Sequence, residues 1–267
     1  MSQGLGIASI SYDDQKVLAA FAARRQITFP MLADPGSNLI RRFRMIDPDN
    51  TTNNVPGYGA KDTAYPGYFV VNASGVVTER FVDGRYDDRR TGNAMVATLF
   101  PELLETGGRP IRASHVEIGL GQTDTAVTLG TRLQLLVDVK LPPGVHVYAP
   151  GVQGYRPIGL TFDASPWFRT LPPRYPSSRT LELRAIRETV PVYEGNARIV
   201  VDVIIANTTA LMRTLAAGSQ PVTIAARFEY QACDDKVCYP PAVVPLAWRL
   251  SIALPDRTRA AQERKSP

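Results

Sequence analysis

Hydrophobic positions change period part-way along the chain. Up to about residue 105, short apolar runs alternate with segments whose apolar residues recur every three or four positions, the pattern of strand alternating with amphipathic helix. Leu5-Gly-Ile-Ala-Ser-Ile10 predicts a strand over 5–11. Asp13 and Asp14 follow as N-cap residues, and a helix to about Arg25 carries Val17, Leu18 and Phe21 on one face. Residues 27–32 read as a short strand or extended segment, and Asp34-Pro-Gly-Ser37 starts a second helix bearing Leu39, Ile40 and Phe43. The polar, Asn- and Gly-rich stretch 47–63 reads as a loop. Residues 67–71 and 76–82 flank Asn72-Ala-Ser-Gly75, a hairpin signal. A last helix is predicted from about Asp87 to Glu105, with Met95, Val96, Leu99, Leu103 and Leu104 as its apolar side.

Thr106-Gly-Gly-Arg-Pro110 reads as a linker, and after it the period is two. Leu133, Leu135, Val137 and Val139 alternate with Gln134, Leu136, Asp138 and Lys140. Ile199 to Ile205 and Val222 to Tyr230 alternate in the same way, and residues 242–254 form another strand. Apart from a turn or two of helix at 210–217, this half is short strands punctuated by Pro and Gly, which predicts a β-sandwich. The fold class is therefore an α/β domain over 1–106 followed by an all-β sandwich over 112–255, with a disordered basic tail at 256–267.

Composition adds limits. With 44% hydrophobic residues in 267, the chain can build real cores. The formal charge of +5 is small and scattered, and its densest part, Arg257, Arg259, Arg264 and Lys265, has no interleaved aromatics, so no nucleic-acid partner is expected. No apolar run reaches the length of a membrane span. Met1-Ser-Gln-Gly does not begin a signal peptide. Gly119-Leu-Gly121 lacks the third glycine of a dinucleotide loop, and His115 and His146, the only histidines, have no zinc-finger spacing. No cofactor or metal is expected.

The chemistry lies with the only two cysteines, in Tyr230-Gln-Ala-Cys-Asp-Asp-Lys-Val-Cys-Tyr-Pro-Pro241. A strand ending near Cys233, a polar turn through Asp234, Asp235 and Lys236, and a return at Val237 and Cys238 can bring the two Cα atoms within disulfide range. Closing so short a loop is worth about 2 kcal/mol in the chain-entropy account, against roughly 4.7 for a loop of a hundred residues. A bond that stabilises so little is free for redox use, and Cys233 and Cys238 are the candidate catalytic pair. Asp234 and Asp235 would raise a thiol pKa, and Lys236 would lower it. Pro240 and Pro241 keep the flank of Cys238 open, which marks it as the partner-facing sulfur. Two other readings remain open: an inert hairpin disulfide in a non-enzymatic binding module, and a peroxiredoxin whose cysteine-bearing N-terminus is absent from the sequence.

The string Tyr230-Gln-Ala-Cys233 with Val237-Cys238-Tyr-Pro-Pro241 resembles the active-site segment of the N-terminal periplasmic domain of the DsbD thiol:disulfide interchange proteins. The resemblance covers about 112–254, with one residue fewer between the cysteines than in the best-known member. It implies an immunoglobulin-like sandwich and an extracytoplasmic, periplasmic location. It also implies a cysteine pair that passes electrons between a membrane-embedded redox protein and thioredoxin-like partners. Pro142-Pro-Gly-Val-His-Val-Tyr148 is similar to the family's aromatic strand beside the cysteines, which puts Tyr148 and His146 in the pocket with the flanking Tyr230 and Tyr239. The charged stretch 174–190 is expected to contribute to a cap.

The first half resembles the later part of the AhpC/TSA redoxins, on Gly6-Ile-Ala-Ser-Ile-Ser11, Phe29-Pro-Met-Leu-Ala-Asp-Pro-Gly36 and Ala64-Tyr-Pro-Gly-Tyr-Phe-Val-Val-Asn-Ala-Ser-Gly75. The resemblance implies a thioredoxin-like domain lacking its first βα unit, with a cis-proline at Pro66. This half contains no cysteine, so the family's peroxidase chemistry is not expected of it.

Overall fold

A computed structural model describes residues 6–46, 64–83, 88–183 and 187–255, so the predicted loop at 47–63 and the basic tail lie outside the described residues. The chain divides into two compact units, one running to Tyr86 and the other spanning Asp87–Pro255.

The first unit begins with β1 (Ser9–Ser11), α1 (Gln15–Arg25), β2 (Met31–Ala33) and α2 (Asn38–Arg42). It continues with the antiparallel pair β3 (Gly67–Val71) and β4 (Val77–Val82). Strands β1 and β2 pair in parallel and form a separate two-stranded sheet. The side chain of Asp14 accepts from the Val17 N–H at 3.0 Å and starts α1 as expected. On the predicted apolar face of that helix only Leu18 is buried; Val17 and Phe21 are exposed. The buried carboxylate of Asp34 starts α2 by accepting from the backbone N–H groups of Asn38 and Ile40, both at 3.0 Å. The hairpin turn is closed by Asn72, whose side-chain oxygen accepts from the Ser74 and Val76 N–H groups while Gly75 takes a positive φ. No peptide bond among the described residues is cis, so the Tyr65–Pro66 bond is trans, contrary to the expectation for Pro66. Trans is the lower-energy isomer by about 0.5–1 kcal/mol. The Pro66 carbonyl accepts from the Asp83 N–H at 2.9 Å and extends the β3–β4 pairing without needing the tight turn a cis bond makes.

The second unit starts with β5 (Arg89–Arg90), α3 (Gly92–Leu99) and a 3-10 turn at Pro101–Leu103. Its strands then follow in order: β6 (Gly107–Ala113), β7 (Val116–Gln122), β8 (Ala126–Thr128), β9 (Thr131–Lys140), β10 (His146–Tyr148), β11 (Gly159–Phe162), β12 (Phe168–Thr170), β13 (Arg179–Leu183), β14 (Glu188–Glu194) and β15 (Asn196–Ile205). Helix α4 (Thr209–Leu215) precedes β16 (Gln220–Tyr230), β17 (Ala232–Cys233) and β18 (Ala242–Ala253). One sheet has the order β12-β15-β9-β7-β6, with β5 beside β9, and a second has the order β11-β16-β18-β8. They share one core. Leu133, Leu135, Val137 and Val139 of β9 and Ile199 to Ile205 of β15 pack with Ile224, Phe228 and Tyr230 of β16 and with Trp248 and Ile252 of β18. This is the β-sandwich that the period of two predicted, and it is immunoglobulin-like, as the resemblance implied. A third sheet, β13-β14-β10-β17, carries Cys233.

The predicted helix at 87–105 is shorter than expected, and it belongs to the sandwich rather than to the first unit. Polar contacts explain the reassignment. Arg132 of β9 donates from Nε to Asp88 at 2.6 Å. Thr91 donates its hydroxyl to Asp124 at 2.6 Å, and Gln134 donates to Thr98 at 3.0 Å. The alternate face of β9, with Gln134 and Leu136 buried, is therefore covered. The predicted linker at 106–110 is mostly strand β6, which pairs with β7 through an irregularity between Gly107 and Ile111. Gly119 and Gly121 let this chain pass: a Cβ on Gly119 would meet the Thr106 hydroxyl at 2.7 Å.

Asp88, Asp202 and Arg132 are nearly buried, and Arg132 stands between the two carboxylates. Arg132→Met removes the main partner of Asp88, leaving it Arg169 at 3.6 Å, while Asp202 keeps its pair with Arg174, and the change is expected to cost about 3 kcal/mol in urea unfolding. Arg227→Met, which breaks a half-exposed pair with Asp163, is expected to cost under about 1 kcal/mol. Equal costs for the two would show that the buried network does not hold residues 88–91 to the sandwich.

Candidate functional site

Three-residue strand β10 organises the site. It is buried along its length and hydrogen-bonded on both sides, to β14 and to β17. The register sets His146 opposite Glu194 on one side and opposite Cys233 on the other. Side chains two apart on a strand share a face, so His146 and Tyr148 point the same way. Their rings meet edge-on, with centroids 5.5 Å apart.

Strand β17 ends at Cys233, the chain turns, and Cys238 returns to bridge antiparallel to Cys233, as the spacing predicted. The two form a disulfide with Cα atoms 4.0 Å apart. Asp234 shapes the turn. Its Oδ1 accepts from the N–H groups of Lys236 and Val237, both at 2.8 Å, and its Oδ2 accepts from the Tyr239 hydroxyl at 2.6 Å. The Tyr239 hydroxyl, then the two backbone donors, hold the Asp234 carboxyl down at about 2. The same bond pushes the Tyr239 phenol up.

The two sulfurs differ in access. Cys233 is 1% exposed, whereas Cys238 is exposed. The Tyr148 hydroxyl lies 3.7 Å from both. A disulfide sulfur has no proton to give, so the hydroxyl is the donor in both contacts. Tyr148 itself is buried, which raises its pKa, and Glu188 adds to the rise. His146 is 5% exposed, and its Nε2 has no hydrogen-bond partner among the described residues. Burial lowers its pKa, with Glu194 and Asp234 pulling the other way. Of the expected pocket residues, Tyr148 touches both sulfurs and His146 is the cross-strand neighbour of Cys233, whereas Tyr239, one residue past Cys238, packs against the sandwich core. Tyr230 does not stand around the disulfide. Its ring is in the sandwich core, stacked on Phe228, and its hydroxyl donates to the Ser114 carbonyl at 2.7 Å. The strand alternation that buries Phe228 also turns Tyr230 inward.

Two contributors were missed in the sequence. Tyr155 stacks on Tyr148 with centroids 4.4 Å apart and donates to Glu188 at 2.7 Å, a bond that raises its phenol to about 12. His115, at the β6–β7 turn with a φ of 62°, stacks on Tyr239 at 3.6 Å. An aromatic inside the turn-rich run Gly154-Tyr-Arg-Pro157 was the one available signal. The stretch expected to cap the site builds β13 and the start of β14, and contributes Leu181, Leu183 and Val190 to the packing around Tyr148 and Cys233. An open groove beside Cys238 is lined by Gly154, Tyr155, Arg156, Pro157, Gln231 and Pro241. Among the described residues no group of three or more His, Cys, Asp or Glu gathers as a metal site.

Residues 121–244 match the family described as thiol:disulfide interchange protein DsbD, N-terminal, and residues 1–80 match the AhpC/TSA family. The chain thus carries an AhpC/TSA match ahead of a DsbD N-terminal match, and both resemblances drawn from its motifs are met. No curated protein sequence matches it. Similar solved structures include the N-terminal periplasmic domain of ScsB from Proteus mirabilis, at 12% identity and a TM-score of 0.36. That alignment covers 56% of this chain and 51% of the other, so the chain spans about half the length of the Proteus chain. Another is the DsbD N-terminal domain of Neisseria meningitidis in the reduced form, at 18% identity and a TM-score of 0.29, covering 43% of this chain and 74% of that one.

The Asp234–Tyr239 bond gives a pH prediction. The folded pKa of Asp234 lies below the ordinary carboxyl value of about 3.9. The bond's contribution is therefore present above that value and lost as pH falls through about 2. In Tyr239→Phe the Asp234 carboxyl is expected to titrate nearer its ordinary value by NMR. An unchanged midpoint would mean the Tyr239 hydroxyl does not hold it.

Proposed function

We propose that the chain is a thiol–disulfide interchange protein whose Cys233–Cys238 pair relays electrons to or from a thioredoxin-like partner. The family match and the disulfide fit thiol–disulfide interchange in general. The observation that carries the finer reading is the asymmetry of the pair: an exposed sulfur on an open groove, bonded to a buried one. In one direction a partner thiolate attacks Cys238 Sγ, the Cys233–Cys238 bond breaks, and Cys233 leaves as a thiolate that takes up a proton. The partner's second thiolate then attacks its own sulfur in the mixed disulfide and releases Cys238. Two electrons have moved from partner to pair, and the reverse sequence returns them. Attack on Cys233 would require an approach through packed side chains.

Catalytic roles for Cys233 and Cys238, with Tyr148 as a pocket wall, belong to this proposal. A thioredoxin-like partner suits this chemistry, since its second thiol resolves the mixed disulfide within one complex. A membrane-embedded redox protein is a second such partner, and no described helix of this chain is long and apolar enough to cross a membrane. An oxidising, extracytoplasmic compartment suits a resting disulfide.

Equilibration with dithiothreitol is expected to give a reduction potential above about −300 mV, outside the range of inert structural disulfides. Cys233→Ser is expected to accumulate a mixed disulfide with a thioredoxin-like protein, and Cys238→Ser to form none. A potential below that limit, with no adduct on Cys233→Ser, would favour a hairpin disulfide that only stiffens a binding module.

A further inference from the structure

A buried thiol is a poor nucleophile, because burial disfavours its thiolate. Cys233 is 1% exposed. Whenever the pair closes, this sulfur must lose a proton, and whenever the pair opens it must gain one. Water cannot reach it readily, so a neighbouring group has to handle the proton.

The groups around Cys233 can be taken in turn. Glu194 of β14 is held in an ion pair by Arg179 of β13. Asp234 has both carboxylate oxygens committed, to Tyr239 and to two backbone N–H groups. Tyr148 of β10 is a donor to the sulfurs, and its raised pKa keeps it protonated. His146 is different. It is the cross-strand partner of Cys233 on β10. Such partners place their Cβ atoms about 4.5–5.5 Å apart on one face of the sheet. Its Nε2 is buried and unpartnered among the described residues. An unsatisfied buried ring nitrogen costs stability, and it calls for a use. Neutral imidazole can take a proton there and give it back.

We propose that His146 exchanges the proton of Cys233 during opening and closing of the disulfide, an inference that rests on the interchange reading above. For closure, the Cys238 thiolate attacks a disulfide R–S–S–R, forming Cys238–S–S–R and releasing RS⁻. The Cys233 proton moves to Nε2 of His146 as Cys233 Sγ attacks Cys238 Sγ. The Cys233–Cys238 bond forms, the Cys238–SR bond breaks, and the second RS⁻ leaves. The imidazolium returns its proton to the thiolate or to solvent. The dithiol is oxidised, R–S–S–R is reduced to two thiols, and opening is the same path reversed. Tyr148 stays protonated throughout and donates to whichever sulfur carries charge.

The test uses the full chain, reduced, with oxidised glutathione as the disulfide probe. Acid quenching and mass spectrometry follow glutathione adduct formation and its release separately between pH 4 and 9. In wild type the closure rate is expected to level off above the titration of a histidine. In His146→Gln closure is expected to slow by about tenfold or more at pH 7, the low side of what a positioned base contributes. It should then keep rising with pH as the thiol ionises. Adduct formation on Cys238, measured in Cys233→Ser with and without His146→Gln, is expected to change by less than about twofold. Closure in His146→Gln with the wild-type rate and pH profile would overturn the proposal and leave the interchange reading intact. No adduct on Cys233→Ser at any pH would overturn both.

A second measurement needs no variant at residue 146. The chain has two histidines, and His115→Gln assigns their NMR signals. The His146 midpoint is expected to differ between the oxidised and reduced protein by about one pH unit, as for coupled sites. The same midpoint in both states would overturn the proposal.

Discussion

Hydrogen bonding along both edges of β10 fixes the positions of just three residues, and the chemistry around the disulfide follows from them. With β14 on one side and β17 on the other, β10 cannot slip, since a shift of one residue would exchange its faces. Val147 would then face Cys233 in place of His146, and the Tyr148 hydroxyl would leave the sulfurs. The same constraint buries Cys233 on β17 while the turn carries Cys238 outward. The pair is asymmetric because one sulfur belongs to a sheet and the other to a turn. The large core between the two main sheets holds this third sheet in place through Val147, Tyr193 and Ala232, which belong to that core.

Much of this was legible because it depends on local pattern. The long alternating strands at 131–140, 196–205, 220–230 and 242–253 announce themselves through period two, and the cysteine hairpin through six residues of turn chemistry. The Asn72 turn is likewise written in four residues. What was not legible depends on partners far away in sequence. The helix at Gly92–Leu99 has its own apolar face, but which core receives it is decided by Arg132, Asp124 and Gln134, more than twenty residues on. Tyr230 and Tyr239 look alike beside the cysteines. One continues a strand into the core and the other follows the turn onto Asp234, a difference set by where alternation stops. Tyr155 and His115 reach the site from loops, and no periodicity points to a loop aromatic.

The turn bears on what the disulfide is for. Asp234 accepts three hydrogen bonds across residues 236–239, the Asp234 N–H donates to the Val237 carbonyl, and the Tyr239 N–H donates to the Ala232 carbonyl. Gln231 reaches across to the Tyr239 carbonyl, and His115 stacks on the Tyr239 ring from outside. These contacts hold the two sulfurs near each other without the covalent bond. Each net hydrogen bond is worth about 1 kcal/mol, and those to a charged group somewhat more, so together they exceed the loop-closure contribution of about 2 kcal/mol. A hairpin shaped this way keeps its form when the bond opens. Reduction then changes the chemistry at Cys233 and Cys238 rather than the shape of the hairpin, which is the property the proposed relay needs if it is to be recognised in both redox states.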